Sequence, residues 1–527
     1  MRTDGSRIFM KLNYKRTFFV GFAFFLICTF WQAYDTIIPK ILTDKYGMSQ
    51  ANSGIVMAID NVLALFMLPL FGALSDRCMS RRGRRTPFII IGTLIAAVAL
   101  VCLSFVDNRQ LQNIGDVSAI DDPAALGALY ASEGGRELKT PDGTAYILQD
   151  TFTEAEFCAI TAQIELDGKL MTNPDYINYV VPARHAYAWD QTQKSPGTLI
   201  AFLGTLLIAL IAMATFRSPA VALMPDVTIK PLRSKANAVI NLMGTAGGII
   251  VLGLGMVFAT GSVKNSLMSY TTFFAIVAGI MLVALAVFLR KVDEPRFARE
   301  MEAESQRYQI DGAAEGADVA AQKKLGRGEL ASLLLILASV VFWFMGYNAV
   351  TSKYSVYAGK VLALDYNSTL MIANVAAIIS YLPVGMVAGK IGRKKSILGG
   401  IVMLATAFLF ASFLREGSPA MLINAMFALA GVGWATINVN SFPMVVELSR
   451  GGDVGKYTGF YYTASMAAQT VTPWFSGLLM DHVGLTTLFP YATAFVLLAF
   501  VTMLFVRHGD SRPEPSQSKL EAFDAED

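Results

Sequence analysis

At 527 residues, 54% of them hydrophobic and only 16% charged, the chain is too apolar for a soluble fold of its length, and its mean hydropathy of +0.49 points to a polytopic membrane protein. A formal net charge of +3, with basic residues sorted by position rather than massed in one patch, argues against nucleic-acid binding. Four scattered cysteines (Cys28, Cys78, Cys102 and Cys158) supply neither a disulfide framework nor a metal-ligand cluster, so no cofactor or metal is expected.

Lys11, Lys15 and Arg16 precede an apolar run from Thr17 to Pro39. The run is longer than the apolar core of a signal peptide and closes without a small-residue cleavage pattern, so it reads as the first transmembrane helix. Further spans are predicted at Ser53–Ser75, Pro87–Val106, Gly197–Met224, Ala236–Thr260 and Tyr270–Leu289. A second set follows at Leu330–Val350, Ser368–Gly389, Ser396–Leu414, Ala420–Met444, Tyr457–Met480 and Leu488–Val506. The fold class is therefore an all-α membrane protein with twelve transmembrane helices and both termini on one side.

The stretch from Pro69 to Ile91, PLFGALSDRCMSRRGRRTPFIII, sets the orientation. Five arginines (Arg77, Arg81, Arg82, Arg84 and Arg85) crowd a short turn between two apolar runs, and the positive-inside rule puts that turn in the cytoplasm. Threading the twelve helices from there places the other basic segments, Lys230 to Lys235, Arg290 to Arg327, Lys390 to Lys395 and Arg450 to Lys456, on the same side. A multi-pass plasma-membrane protein with cytoplasmic termini is expected.

Two segments are not membrane. Residues 107–196 form a long acidic insertion on the outer side, in which Thr153 to Glu156 reads as a capping box before a short helix; the insertion is either a lid or a docking or substrate-gathering module. Residues 291–329 form a charged linker, and 508–527 a disordered tail. The expected units are thus 1–290, a six-helix bundle carrying the insertion, and 330–507, a second six-helix bundle.

The halves repeat each other. Phe30-Trp31-Gln32-Ala33-Tyr34-Asp35 returns, one residue longer, as Phe342-Trp343-Phe344-Met345-Gly346-Tyr347-Asn348, and Ile59-Asp60-Asn61-Val62 returns as Ile372-Ala373-Asn374-Val375. The interval from Asp35 to Asn61 equals that from Asn348 to Asn374, which fixes a register. Pro69 and the arginine turn are answered by Pro383 and Gly392-Arg393-Lys394-Lys395, and Asp226 to Lys235 by Glu447 to Lys456. Six helices plus six in parallel repeat is the plan of carriers that hold substrate between two rocking bundles.

Gly72-Ala73-Leu74-Ser75-Asp76-Arg77 followed by Arg82-Gly83-Arg84-Arg85 resembles the loop motif of the major facilitator superfamily. The longer string SDRCMSRRGRRTPFI, with RSPAVALMPD (Arg217 to Asp226), RSKANAVINLMG (Arg233 to Gly244) and GVGWATINVNSFP (Gly431 to Pro443), is similar to the sucrose transporter and glycoside cation symporter branch. The resemblance implies twelve helices, a sugar-like substrate and proton or sodium coupling. Three positions depart from it: the outer insertion is additional, Lys390 replaces the acidic residue of the second-half motif, and Val221 stands where plant sucrose carriers have an arginine.

Asp35 and Asp60 are the candidate coupling pair. A carboxylate within a span costs about 2.5 to 3.5 kcal/mol on insertion scales and so faces a partner or a wet cavity. Both lie about equally far from the turn at Tyr46 and Gly47, hence at one depth in the outer half, where their mutual repulsion favours holding a proton. The alternative is a helix-end charge for Asp35 and a local hydrogen bond for Asp60. Arg217 either binds substrate or forms a fixed salt bridge. Gln32, Asn61, Asn241, Asn348, Asn374, Asn438 and Asn440 offer amides for sugar hydroxyls or for helix–helix hydrogen bonds. Trp31, Tyr34, Trp343, Tyr347, Trp434 and Tyr461 offer aromatic faces or plain packing. At the inner helix ends, Asp76, Arg77, Arg84, Arg85, Asp226, Arg233, Glu447 and Lys456 are candidate gate residues, because the resemblance implies bridges there that hold the outward-open state.

The function expected is transport, not catalysis. The reading is a monomeric secondary carrier in the lipid bilayer, importing a sugar or glycoside with protons by alternating access, against an uncoupled facilitator or exporter of another small solute. A receptor or membrane-embedded enzyme is the remaining class; no nucleotide loop or metal spacing supports it.

Overall fold

The computed structural model describes residues 11–140, 144–166, 169–260, 262–308, 326–357, 361–362, 366–415, 418–449, 453–483 and 485–510; the tail after Asp510 and linker residues 309–325 lie outside these. Among the described residues twelve long helices are found. They are α1 (Tyr14–Lys45), α2 (Gln50–Asp76), α3 (Thr86–Asn113), α4 (Gly197–Asp226), α5 (Arg233–Val257) and α6 (Thr271–Lys291) in the first half. The second half has α7 (Arg327–Tyr357), α8 (Tyr366–Ile391), α9 (Arg393–Ala411), α10 (Ala420–Val446), α11 (Val454–His482) and α12 (Leu488–Leu504). Among the described residues ten helices are long and apolar enough to cross a membrane, and α11 and the 17-residue α12 complete the two bundles.

One predicted boundary moves. α3 continues to Asn113 instead of ending at Val106, so Asp107 is a helix residue and the insertion begins later. The helix can carry this carboxylate because Lys45, at the end of α1, meets it at 2.6 Å with both side chains fully buried. Lys45 also donates to the Met268 carbonyl at 2.7 Å and lies 4.6 Å from the centre of the Tyr270 ring. Asp107→Ala leaves that ammonium buried without its counter-charge, which costs about 3–5 kcal/mol. A lowered unfolding temperature in detergent, restored in part by adding Lys45→Met, is the expected result.

The insertion folds as a small cap. Helices Pro123–Glu133, Glu154–Cys158 and Val181–Lys194 surround a core of Leu126, Leu129, Leu148, Phe157 and Tyr176. Two hairpins join them, Glu137–Lys139 with Ala145–Ile147 and Gln163–Leu166 with Lys169–Thr172, so the all-α description holds for the membrane part only. Thr153 and Glu156 form the capping box, and the hydrogen bonds from Thr153 hold the Glu156 carboxyl below its usual range. The last helix lies on the turn between α1 and α2. Gly47 there has φ +67°, and a Cβ on it would overlap the His185 carbonyl and the Trp189 backbone, so only glycine fits. His185 Nε2 lies 3.2 Å from Asp44 Oδ1, and Gln110 bridges the Lys45 carbonyl and Thr192 at 3.0 and 2.9 Å. Leu267, from the α5–α6 turn, completes the same apolar cluster.

The halves meet where α2 packs along α11 and α5 along α8. Contact is closest toward the arginine turn: a Cβ on Gly72 would overlap the Gly455 carbonyl, and one on Gly459 would overlap the Pro69 backbone. Both α2 and α8 also expose apolar side chains along their length, Ile55, Val62, Phe66 and Leu70 on α2 and Val375, Ile379, Leu382 and Met386 on α8.

Candidate functional site

Between the halves lies a cavity of about 770 Å³. From α1, Trp31, Tyr34 and Asp35 reach its wall, and from α2 Met57, Asp60 and Asn61 do so. A long hydrogen bond links the two aspartate-bearing helices, the Tyr34 hydroxyl donating to the Met57 carbonyl at 3.5 Å. Asp35 is exposed to the cavity and Asp60 half-buried. Arg217 of α4 comes up between the halves, its guanidinium carbon 5.3 Å from the Trp31 ring and 4.9 Å from that of Tyr462. This cation–π clamp holds a charge in a largely apolar wall. Among the described residues Arg217 forms no ion pair with either aspartate, so the fixed salt bridge is not what the structure shows.

The floor is amide and aromatic. Asn237 donates to the Val439 carbonyl at 2.7 Å, joining α5 to α10, and Asn241 donates to the Asn237 carbonyl at 2.8 Å. Asn438, Tyr461 and Gln469 close the second-half wall. Below, Ala64, Leu68 and Met466 form a dry plug between α2 and α11.

Beyond the plug the basic end is held by two related networks. Fully buried Arg85 reaches Asp76 at 2.5 Å, Asp226 at 2.7 Å and Ser75 at 2.5 Å. Asp76 then accepts from the N–H groups of Gly455 at 2.9 Å and Lys456 at 3.0 Å, the first turn of α11 in the other half, where a helix N-terminus favours a carboxylate. In the second half Arg393, also buried, reaches Glu447 at 2.5 Å, Ser234 at 3.0 Å and the Lys230 carbonyl, with Arg233 3.7 Å from the same Glu447. Each network is anchored by an acidic residue that follows the last helix of its half. Glu294 accepts from the N–H groups of Arg84, Arg85 and Thr86, and Asp510 from that of Arg393.

The profile of the Major Facilitator Superfamily matches residues 20–117, 186–380 and 366–525. The chain belongs to the major facilitator superfamily. As a superfamily member it is a multi-pass membrane transporter of small molecules, not an enzyme, with the twelve-helix, two-bundle fold. It is similar to the sucrose transport protein SUC3 of Arabidopsis thaliana (34% identity over 69 residues, 13% of this chain and 11% of that protein) and to the human proton-associated sugar transporter A (38% over 74 residues, 14% and 9%). The chain thus matches only about a tenth of the length of these curated relatives. Among solved structures it resembles the proton:xylose symporter XylE bound to 6-bromo-6-deoxy-D-glucose (TM-score 0.57, 16% identity, 94% of this chain and 96% of that one). It also resembles the transporter FucP in the outward conformation (TM-score 0.56, 11% identity, 94% and 100%).

Within this major facilitator cavity the structure brings together Asp35, Asp60, Trp31, Tyr34, Asn61, Arg217, Asn241, Asn438 and Tyr461. It leaves Gln32, Trp343, Tyr347, Asn348, Asn374, Trp434 and Asn440 off the wall. Trp343 is fully buried, Tyr347 and Trp434 stack on each other at 3.7 Å, and Asn440 is buried and donates to the Thr436 carbonyl. The repeat explains the Trp343 miss. Aligned on Asp35 and Asn348, the second-half segment is one residue longer, and a helix turns about 100° per residue, so Phe344 takes the position of Trp31 and does line the cavity. At the basic end Arg77 makes no ion pair among the described residues, and Lys456 contributes its backbone instead of its ammonium. Sequence reasoning passed over Arg393, although it stands at the repeat position of Arg85. Glu294, Asp510, Tyr462, Asn237 and Gln469 carried no spacing signal.

Proposed function

We propose that this transporter carries a sugar or glycoside together with a proton, by rocking of the two halves about the central cavity. The observation that carries the reading is the shared wall: two carboxylates and one arginine, all from the first half, face aromatic rings and amides that suit a polyhydroxylated ligand. The relatives named as sucrose and proton-associated sugar transporters, and the neighbour named as a proton:xylose symporter, support it. Val221, where the sucrose branch has an arginine, lines the cavity, so a preference for sucrose itself is not expected. We take the basic end as cytoplasmic by the positive-inside rule, and the membrane as the plasma membrane, which makes the arrangement closed inside and open outside.

A proton entering across about 100 mV releases roughly 2.3 kcal/mol, enough for roughly 40-fold accumulation. In proteoliposomes, a panel of sugars and glycosides is expected to contain at least one that is taken up against its gradient and alkalinises the outer medium, both effects disappearing with an uncoupler. Uptake that an uncoupler does not touch would favour the facilitator instead.

A further inference from the structure

Behind Trp31 the cavity has a side chamber of about 10 Å³, room for one water molecule. Its walls come from α1, α2 and α4. Ala64, Leu68, Leu210 and Ala214 make it apolar, and its polar lining is Trp31, Arg217 and Asp60. Trp31 Nε1 and Arg217 Nε are both enclosed and without a hydrogen-bond partner. Two buried N–H donors facing no acceptor cost about 1–3 kcal/mol each, which a bridging water removes.

We propose that this chamber holds a single ordered water that accepts from Trp31 Nε1–H and Arg217 Nε–H and donates to the Asp60 carboxylate, making Trp31 a positioning residue for the transported proton. The inference rests on Asp60 being the proton carrier of the preceding reading. Its content follows from the donor set. With both lone pairs taken by N–H groups, the water can only donate, so it supports the ionised carboxylate and resists its protonation. The same donor set refuses sodium, since N–H groups cannot coordinate a cation and Asp60 alone supplies oxygen. The titratable and charged groups that line the cavity with Asp60 are Cys28, Tyr34 and Asp35 from α1, Arg217 from α4, and Tyr461 and Tyr462 from α11; among the described residues α2 adds none to that lining.

Trp31→Phe keeps the ring under Arg217 and removes the N–H. A lone pair of the water is freed, protonated Asp60 can donate to it, and the pH of half-maximal uptake, each profile normalised to its own maximum, moves alkaline by about 0.5 to 1 unit, the size of one hydrogen bond. Ala64→Leu, which fills the chamber from α2, is expected to move it the same way. A sodium gradient at fixed pH is expected to drive nothing. Midpoints equal to that of the parent in both variants, or sodium-driven accumulation, overturn the proposal. So does a high-resolution structure of the parent that shows no water density within hydrogen-bond distance of Trp31 Nε1. Should the parent exchange substrate with no pH dependence at all, the proton reading fails, while the water site is still decided by that density.

Discussion

Asp60→Asn is expected to abolish accumulation while exchange of substrate down its own gradient persists. The amide mimics the protonated carboxyl permanently, so both conformations remain reachable, but no proton is released on the far side and the membrane potential no longer acts on the substrate. At about 100 mV the internal-to-external ratio should fall from roughly 40 to about 1. Asp35→Asn is expected to do less, because Asp35 lines only the main cavity, whereas Asp60 also lines the small chamber beside Arg217. Measuring counterflow and gradient-driven uptake on the same vesicles separates the two; if Asp60→Asn accumulates substrate like the parent, Asp60 does not carry the proton.

Arg85→Ala is expected to open the basic end. Arg85 is fully buried and neutralises both Asp76 and Asp226; without it Asp76 keeps only the N–H groups of Gly455 and Lys456 and Asp226 only the longer contact to Arg84 at 3.8 Å, and removing the buried partner of such a pair costs about 3–5 kcal/mol. The closed arrangement alone bears that cost, because separation of the halves lets water reach the carboxylates. About 3 kcal/mol is two decades of population, enough to make a minor open state dominant. Spin labels at Met79, exposed on the α2–α3 turn, and at Lys395, exposed in the first turn of α9, should report a longer distance. Gly72→Val tests the steric side of the same closure: its side chain would push into the Gly455 carbonyl with every charge left in place. An unchanged label distance in both variants would show that the closure is held elsewhere.

Much of this was legible in the chain because membrane insertion imposes simple rules. Apolar length gives spans, arginine position gives orientation, and a carboxylate in a span has to face something wet; Asp35, Asp60 and Arg217 on one cavity wall follow that logic. The duplicated register identified equivalent helices and did not identify equivalent faces, since one extra residue between Trp343 and Asn348 rotates the aromatic away. Likewise Asp107 read as the start of the outer insertion, because its partner Lys45 is 62 positions away and no local spacing shows the pair. Capping by Glu294 and Asp510 depends on where a helix exit folds back, which no local spacing encodes.

The insertion's seat on α1, α3 and the α5–α6 turn has a practical consequence. Among the described residues the anchoring contacts named above lie within one of the two moving bodies, so it rides with that body as a soluble handle of known orientation. A small antibody fragment raised against it would add an alignment marker for imaging without bridging the seam. One engineered to reach across to the α11–α12 end would act as a brake on the rocking, separating binding from turnover in a protein too small to image easily alone.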